Sequence, residues 1–273
     1  MNDKVLTWEE AVLWLRSQPD QTELIRACYY DDPLIDAADR FYQSSEWKEI
    51  QKRLDGKSGK ILDLGAGRGI SSYAFARDRW EVVAVEPDPS SIVGAGAIRD
   101  LASDLHLPIS VVQTFAESLP FRNNSFDVVY GRQILHHAHD LPKMCREISR
   151  VLKPEGIFMA TREHVISKME DLDIFLAHHP LQKMYGGENA YLLNQYLAAI
   201  TDSDIEVTDV LNPCASDINL FPESLDSRKK QIAKKISLPL SPLIPTAMIK
   251  LQGLFDKTPG RLYSFIGRKK SDG

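Results

Sequence analysis

"ILDLGAGRGI", residues 61–70, decides the fold, because a buried-strand pattern runs directly into three closely spaced glycines. Gly65, Gly67 and Gly69 alternate with other residues, so five positions hold three glycines. Glycine loses much backbone entropy on folding and offers no side chain to pack. Such a density therefore predicts a tight turn between a strand and a helix, with a backbone that a ligand can approach.

Strand and helix patterns alternate downstream of residue 56. Near-continuous apolar strands separated by helical segments predict a parallel sheet covered by helices on both faces, with right-handed crossovers. The fold class predicted is therefore α/β, with a doubly wound sheet. The predicted strands are "KILDL", "EVVAVEP", "PISVVQTF", "SFDVVYG", "GIFMATR", "DIEVTDVL" and "RLYSFIGRK".

Two other regions have a helical pattern. Residues 1–55 begin with a capping box, Thr7 and Glu10, and continue through three predicted helices, the last over "PLIDAADRFYQSSEWKEIQKRL". Residues 166–201 interrupt the alternation with two helical patterns around "MYGGENAY". We therefore predict a helical cap over 1–55, a main domain over 56–273, and a lid inserted at 166–201.

Composition limits the classes of partner and compartment. The 273 residues carry a net charge of −5 with acids and bases mixed, so a nucleic-acid partner is not expected. Three scattered cysteines match neither a disulfide framework nor a metal-ligand spacing. Together with the absence of a signal-peptide pattern, they predict a reduced, cytoplasmic protein. No oligomeric state is predicted.

The segment 228–249 is the region of the sequence that is relevant to membrane contact. Prolines cut "ISLPLSPLIPTAMIKLQGLF" into pieces too short to span a bilayer, so no membrane span is predicted. The preceding "RKKQIAKKI" is basic, and with the apolar residues after it this segment is compatible with peripheral contact to an anionic membrane surface. The more common interpretation is a solvated helix face beside a buried proline-rich loop.

Two acidic residues next to the glycine turn restrict the choice of ligand. Glu86 ends the second strand, seventeen residues after Gly69, where a carboxylate can accept hydrogen bonds from both ribose hydroxyls of an adenosine. Asp63 precedes the first glycine by two residues and can help to hold a positively charged amino-acid group, which NAD lacks. The dinucleotide pattern G-x-G-x-x-G would need a third glycine where Ile70 stands.

Four blocks of sequence follow one another along the chain: "ILDLGAGRG", "VVAVEPD", "AESLPFRNNSFDVVYGRQILHH" and "REISRVLKPEGIFM", which together cover about residues 58–162. In this order they resemble the class I S-adenosylmethionine-dependent methyltransferases. The resemblance implies a Rossmann-like, seven-stranded, mostly parallel sheet in the order 3-2-1-4-5-7-6, with "RLYSFIGRK" as the antiparallel seventh strand. It also implies S-adenosyl-L-methionine as the cofactor.

The resemblance implies a set of cofactor contacts. The glycine turn would pass under the methionine and ribose, two acids would hold the amino-acid end and the ribose, and three loops would flank the adenine and methionine. Where the family often has an acid that contacts the adenine amino group, this chain has Phe115, so that partner is left open. The implied residues are Asp63, Gly65, Ala66, Gly67, Gly69, Glu86, Pro87, Ala116, Glu117, Gly131 and Arg132.

Candidates for the acceptor site are less specific. Methyl transfer is an in-line displacement that needs alignment and often a base. Glu163 and His164 follow the fifth strand, and Glu188 lies in "MYGGENAY", which is compatible either with an acceptor-binding lid or with a glycine helix cap. These three are the catalytic candidates, while no metal site is expected because no zinc-like spacing occurs. Further residues at the expected mouth are His136, His137, His139, His178, His179, Tyr30, Arg40 and Tyr42.

The predicted function is methyl transfer from S-adenosylmethionine to a small-molecule or saccharide-type acceptor, on oxygen in preference to nitrogen or carbon. It rests on the lack of a basic surface and of "NPPY"-type or paired-cysteine motifs. Two alternatives stay open: an NAD-dependent oxidoreductase, which Ile70 disfavours, and a non-catalytic module that binds S-adenosylmethionine.

Overall fold

The computed structural model describes residues 6–54, 56–179, 181–235 and 244–271, and one sheet of eight strands forms its centre. The strands are β1 (Lys60–Leu64), β2 (Glu81–Val85), β3 (Ile109–Val112), β4 (Phe126–Arg132), β5 (Leu152–Ile166), β6 (Tyr191–Leu192), β7 (Ile205–Leu211) and β8 (Arg261–Lys269).

The strands lie in the order β3-β2-β1-β4-β5-β8-β7, with the two-residue β6 paired to the end of β5. Strands β3, β2, β1, β4 and β5 are parallel, while β8 runs antiparallel to both of its neighbours. This arrangement confirms the predicted α/β class and, apart from β6, the expected strand order. The carboxyl ends of β1, β2, β4 and β5 therefore lie along one edge of the sheet.

Helices cover both faces of the sheet. Alternate residues of each strand face opposite sides, so Leu62 and Leu64 join one apolar cluster with α7 and α10, whereas Ile61 joins another with α3, α4 and α5. The helices are α1 (Trp8–Arg16), α2 (Thr22–Ala27), α3 (Leu34–Tyr42), α4 (Ser45–Leu54), α5 (Ile70–Arg77), α6 (Ala95–Asp104), α7 (Leu141–Val151), α8 (Asp171–His178), α9 (Gln182–Tyr185), α10 (Leu193–Thr201), α11 (Asp217–Leu220), α12 (Leu225–Lys235) and α13 (Thr246–Leu254).

The N-terminal cap differs from the sequence prediction at one point. Thr7 and Glu10 form the predicted capping box at the start of α1. The single helix predicted over residues 33–54 was wrong, because the chain breaks after Tyr42 into α3 and α4. The hydroxyl of Ser44 accepts the backbone N–H of Trp47 at 3.0 Å, and such a cap begins a new helix.

The segment 166–201 divides into two parts with different packing. Tyr196, Ala199 and Ile200 of α10 lie in the same apolar cluster as α7 and the sheet, so α10 is a layer helix. The described residues of 167–190, with α8 and α9, lie instead at the carboxyl edge of the sheet, where Phe175 of α8 packs with Ile166 at the end of β5. We call residues 167–190 the lid, and the predicted division of the chain into cap, main domain and lid remains an interpretation.

The segment in which no membrane span is predicted is only partly described. Residues 236–243, which include most of its prolines, lie outside the described residues. On either side, α12 and α13 share a small apolar cluster with Cys214 and Leu220. Among the described residues, no helix combines the length and the apolarity needed to cross a membrane.

Trp47 joins the cap to the main domain. Its fully buried ring packs against Phe41 of α3, 5.6 Å between ring centroids, and against Phe75 of α5 at 4.7 Å. We expect Trp47→Ala to lower the free energy of unfolding by about 3–5 kcal/mol, measured by denaturant titration. The matched control is Trp14→Ala on α1, whose side chain is 48% exposed and whose loss is expected to cost less than about 1 kcal/mol. Equal losses of unfolding free energy in Trp47→Ala and Trp14→Ala would contradict the role of Trp47 in joining the cap to the main domain.

Candidate active site

The glycine turn has the bare backbone that its sequence predicts. Gly65, Gly67 and Gly69 have φ values of 64°, 53° and 83°, in the left-handed region that favours glycine. A Cβ added at Gly65 would lie 2.4 Å from the side chain of Ile134. The turn after β1 is held by the N–H of Ala66, which donates to the carbonyl of Val85 on β2 at 3.0 Å.

Asp63 holds the turn to the helix that follows it. Its buried carboxylate accepts the hydroxyls of Ser71 and Ser72, at 2.7 and 2.5 Å, at the start of α5. Burial raises the pKa of Asp63 to about 6, although the two hydroxyl bonds oppose the rise. Its second oxygen, Oδ1, is buried without a hydrogen-bond partner among the described residues. The side chain thus has a local role and one unused acceptor atom.

Glu86 connects the end of β2 to the same turn. Its Oε2 accepts the N–H of Gly67 at 2.8 Å, and its Oε1 accepts the N–H of Asp88 at 3.0 Å. Burial raises the pKa of the Glu86 carboxyl to about 7, with the two N–H bonds acting in the opposite direction. The carboxylate therefore lies at the turn, oriented by backbone bonds.

One cavity of about 360 Å³ lies against this turn. Six of the predicted cofactor residues line it: Gly65, Ala66, Gly67, Glu86, Pro87 and Arg132. The other five do not line the cavity in the described structure, so their cofactor contacts stay predictions. They are Asp63, Gly69, which begins α5, Ala116, which is buried in the main cluster, Glu117, which accepts the N–H of His139, and Gly131, which packs against Ile134.

Arg132 has a structural ion pair as well as a place in the cavity wall. Its guanidinium Nε lies 2.8 Å from Oε1 of Glu46, a fully buried carboxylate on α4. The guanidinium carbon also lies 5.5 Å from the ring centroid of Tyr29. This buried pair joins the end of β4 to the cap, and it fixes where Arg132 faces the cavity.

Arg68 was missed by the sequence reasoning. From within the glycine turn, its Nη1 donates to the carbonyls of Tyr29 and Asp31, at 3.0 and 2.9 Å, and its Nη2 pairs with Asp32. The loop between α2 and α3 is thereby held against the turn. A cationic residue between two glycines was the available signal, but its partners lie far away in sequence.

The far half of the cavity is lined by the cap, the strand ends and the lid together. Trp8 and Tyr30 come from the cap, whereas Tyr185 and Glu188 come from the lid. Four histidines complete this half: His136, His137, His164 and His179. Of the cap residues proposed from sequence, Arg40 pairs with Asp31 and Tyr42 bonds to Asp78, so only Tyr30 reaches the cavity.

Glu163 lies behind the cavity wall. Its fully buried carboxylate accepts the backbone N–H groups of Ile134, Leu135 and His136, each at 3.1 Å, and lies 2.7 Å from Nδ1 of His136. Burial raises the pKa of Glu163, against the effect of the three N–H bonds. These contacts make Glu163 a positioning residue for His136, while its predicted catalytic role stays a prediction.

His164 faces the cavity as a neutral imidazole. Its Nδ1 donates to the carbonyl of Gly260 at 2.8 Å. Burial, and then the neighbouring His136, lower the pKa of His164 to about 3. A group with so low a pKa is a weak general base near neutral pH.

Glu188 lies between two histidines in the lid region of the cavity. The hydroxyl of Tyr185 donates to its Oε1, and its Oε2 lies 3.7 Å from Nε2 of His136 and of His179. Burial acts to raise the pKa of Glu188, but the nearby histidines, His137 first, hold it below its usual range. The cluster combines the Glu188 carboxylate with imidazole nitrogens from two separate segments, one after β4 and one after α8, which sequence spacing could not reveal.

Known proteins match this fold and this turn together. The family described as "Methyltransferase domain" matches residues 62–160, which contain the glycine turn and Glu86. The chain is also 33% identical over 119 residues to an uncharacterized methyltransferase, YcgJ, of Bacillus subtilis. Residues 62–160 therefore form a class I S-adenosylmethionine-dependent methyltransferase domain. The cofactor of this domain is S-adenosylmethionine, and the cavity against the bare glycine backbone and the Glu86 carboxylate fits it.

The likeness extends to further relatives of this methyltransferase. The crystal structure of YcgJ has a TM-score of 0.57 at 20% identity, covering 84% of this chain and 99% of that one. The ubiquinone biosynthesis O-methyltransferase of Rhizobium etli is 29% identical over 59% of this chain and 67% of its own. Geranyl diphosphate C-methyltransferase of Streptomyces coelicolor, solved with S-adenosyl-L-homocysteine, has a TM-score of 0.58 at 16% identity, covering 82% of this chain and 76% of its own.

The sequence matches are partial. Among curated relatives, the aligned part covers 46% of YcgJ, so the chain spans about half the length of that relative. The structural likenesses lie below 25% identity and bear on the fold alone.

The ribose role of Glu86 can be tested by removing its carboxylate. We expect Glu86→Ala to weaken binding of S-adenosylhomocysteine by about 1–3 kcal/mol, measured by calorimetry, because hydrogen bonds to a charged group are lost. The matched control is Glu81→Ala at the other end of β2, where the carboxylate pairs with Lys60 on the surface. Unchanged affinity in Glu86→Ala would refute the ribose role.

The raised pKa of Glu86 also predicts a pH dependence of cofactor binding. With a pKa of about 7, the carboxyl is increasingly protonated below that pH and then accepts ribose hydroxyl bonds poorly. We expect the affinity for S-adenosylhomocysteine to be level above about pH 8 and to fall by up to about tenfold per pH unit below pH 7. Calorimetry across this range checks it, and a Glu86→Gln variant that kept the same slope would contradict the assignment to Glu86.

Proposed function

We propose that this chain transfers a methyl group from S-adenosylmethionine to a hydroxyl oxygen of a small-molecule or saccharide-type acceptor. One observation carries the proposal: the cavity that begins at Gly65, Gly67 and Glu86 continues without a boundary to the histidines and Glu188. Cofactor residues and polar acceptor-side residues thus share a single space. Such an arrangement suits the in-line displacement that methyl transfer requires.

The residues around the cavity have separable tasks in this reaction. S-adenosylmethionine, when bound, supplies an electrophilic methyl group on its sulfonium. The glycine turn and Glu86 fix the direction of that group, while Trp8 of the cap and Tyr185 of the lid exclude water. The acceptor oxygen forms a bond to the methyl carbon as the carbon–sulfur bond breaks, and the electron pair of that bond stays on sulfur. The hydroxyl proton leaves to solvent or to a nearby base.

The size and chemistry of the cavity support a small acceptor. Its volume of about 360 Å³ is at the lower end of the range for small-molecule sites. Tyr30 and Leu181 close it with the aromatic residues of cap and lid. The name of the ubiquinone biosynthesis O-methyltransferase is consistent with an oxygen acceptor, whereas that of the geranyl diphosphate enzyme specifies carbon. Oxygen is favoured here because the acceptor half is lined by polar groups that can hold a hydroxyl.

A peripheral membrane contact belongs to the same proposal as a secondary feature. Helix α12 carries four lysines, and the neighbouring α13 exposes Met248, Leu251 and Leu254 by 49%, 53% and 62%. A basic helix beside exposed apolar side chains suits the surface of an anionic membrane. Such a contact would suit a lipid-linked acceptor.

The experiment uses the full chain, S-adenosylmethionine with a ¹³C-labelled methyl group, and fractions of a small-metabolite extract. We expect label to appear in one fraction as a methoxy group, identified by mass spectrometry and by its methyl carbon resonance. Glu86→Gln is the control and should slow the labelling. Label on a carbon would overturn the choice of oxygen. Tight binding of S-adenosylhomocysteine without transfer to any fraction would favour a non-catalytic module.

A further inference from the structure

Three side chains from distant segments bring metal-ligating atoms together in the acceptor half of the cavity. His136 follows β4, His164 lies in β5, and Glu188 lies in the lid. The candidate ligand atoms, one from each, all lie within 4.8 Å of one another. His136 and Glu188 have side chains only 1% and 5% exposed, so these groups face each other largely out of water.

The hydrogen bonds behind the two histidines fix which nitrogen faces the gap. A carbonyl can only accept, so the bond to Gly260 puts the proton of His164 on Nδ1 and leaves a lone pair on Nε2. The Glu163 carboxylate already accepts three backbone N–H groups, so we assign the Nδ1 proton of His136 as its fourth donor. Both histidines therefore present acceptor nitrogens.

This arrangement places acceptors opposite one another. Nε2 of His136 and Oε2 of Glu188 are 3.7 Å apart, too far for a hydrogen bond and with no proton to share. Nε2 of His179 lies 3.7 Å from the same carboxylate oxygen. Buried acceptors that face each other are costly unless a donor or a cation lies between them.

The geometry points to a divalent transition-metal site, with zinc as the reference ion, bound by Nε2 of His136, Nε2 of His164 and the carboxylate of Glu188. Two imidazoles and one carboxylate are the donor set of many catalytic zinc and ferrous sites. His179 is placed to serve as a further ligand.

Each of the three proposed ligands is oriented by a hydrogen bond with a neighbouring group. Metal-binding histidines usually donate their other ring N–H to a carboxylate or a carbonyl, which orients the ring and sharpens its affinity. Here Glu163 serves His136, the Gly260 carbonyl serves His164, and the hydroxyl of Tyr185 orients Glu188. Each ligand is therefore held by a contact of its own, and the lid completes the site.

The role of the ion in the reaction rests on the proposed function, whereas its binding does not. Three protein ligands leave a coordination position that an acceptor hydroxyl can occupy. Coordination lowers the pKa of that hydroxyl, so its proton leaves to solvent before the oxygen attacks the methyl carbon. Such a site would activate the acceptor hydroxyl without a general base.

The test measures zinc binding by the full chain. After chelator treatment, zinc chloride is titrated in competition with a chromophoric chelator, and cobalt(II) absorption reports the ligand geometry. We expect one zinc ion per chain in the wild type, with affinity lowered more than about tenfold in His164→Gln and in Glu188→Gln. The matched control is His178→Gln, beside His179 on the exposed face of α8, whose Nδ1 donates to the Ile174 carbonyl.

Calorimetry with S-adenosylhomocysteine on each variant separates the two proposals. Zinc affinity lost in His164→Gln and Glu188→Gln, with S-adenosylhomocysteine binding retained, supports the metal site in a folded protein. Equal zinc affinity in all variants, or no stoichiometric zinc in the wild type, overturns it. Should His164→Gln fail to fold, Glu188→Gln in the lid decides alone. Zinc bound by a protein that transfers no methyl group supports the site while overturning the proposed function.

Discussion

The guanidinium of Arg68 is the contact on which the covered cavity depends. Arg68 lies in the glycine turn, whose backbone has to remain accessible to a ligand. Its guanidinium donates hydrogen bonds to the carbonyls of Tyr29 and Asp31 in the loop between α2 and α3. The same side chain pairs with Asp32, which also pairs with Arg16 of α1. These bonds hold the loop between α2 and α3, and through Asp32 also α1, against the glycine turn.

A second chain of contacts runs from the sheet to the lid. The carboxylate of Glu163 accepts the backbone N–H groups that follow β4 and orients the ring of His136. That ring in turn faces Glu188. The Tyr185 hydroxyl then bonds to Glu188, and the Gly187 carbonyl accepts from His137. The position of the lid is thus set by polar groups whose protonation depends on burial, so electrostatics and closure of the cavity are linked.

The features that were predictable from sequence are local ones. The turn at residues 61–70 and the carboxylate of Glu86 follow from strand pattern, glycine spacing and the topology of parallel sheets, since each depends on near neighbours. The break between α3 and α4 was missed because apolar periodicity continues across it, while the cap at Ser44 is a single hydroxyl. The roles of Arg68 and Glu163 were missed because their partners lie in distant segments, and spacing carries no signal for such contacts.

The cap and the lid meet directly above the cavity. The rings of Trp8 and Tyr185 lie 4.4 Å apart in an edge contact, and the N–H of Leu6 donates to the carbonyl of Met184 at 2.8 Å. Two segments from widely separated parts of the chain therefore cover the cavity together. An acceptor of a different size would require matched changes in both segments. The evolution of substrate specificity in this architecture therefore depends jointly on the N-terminal residues and on the residues after β5.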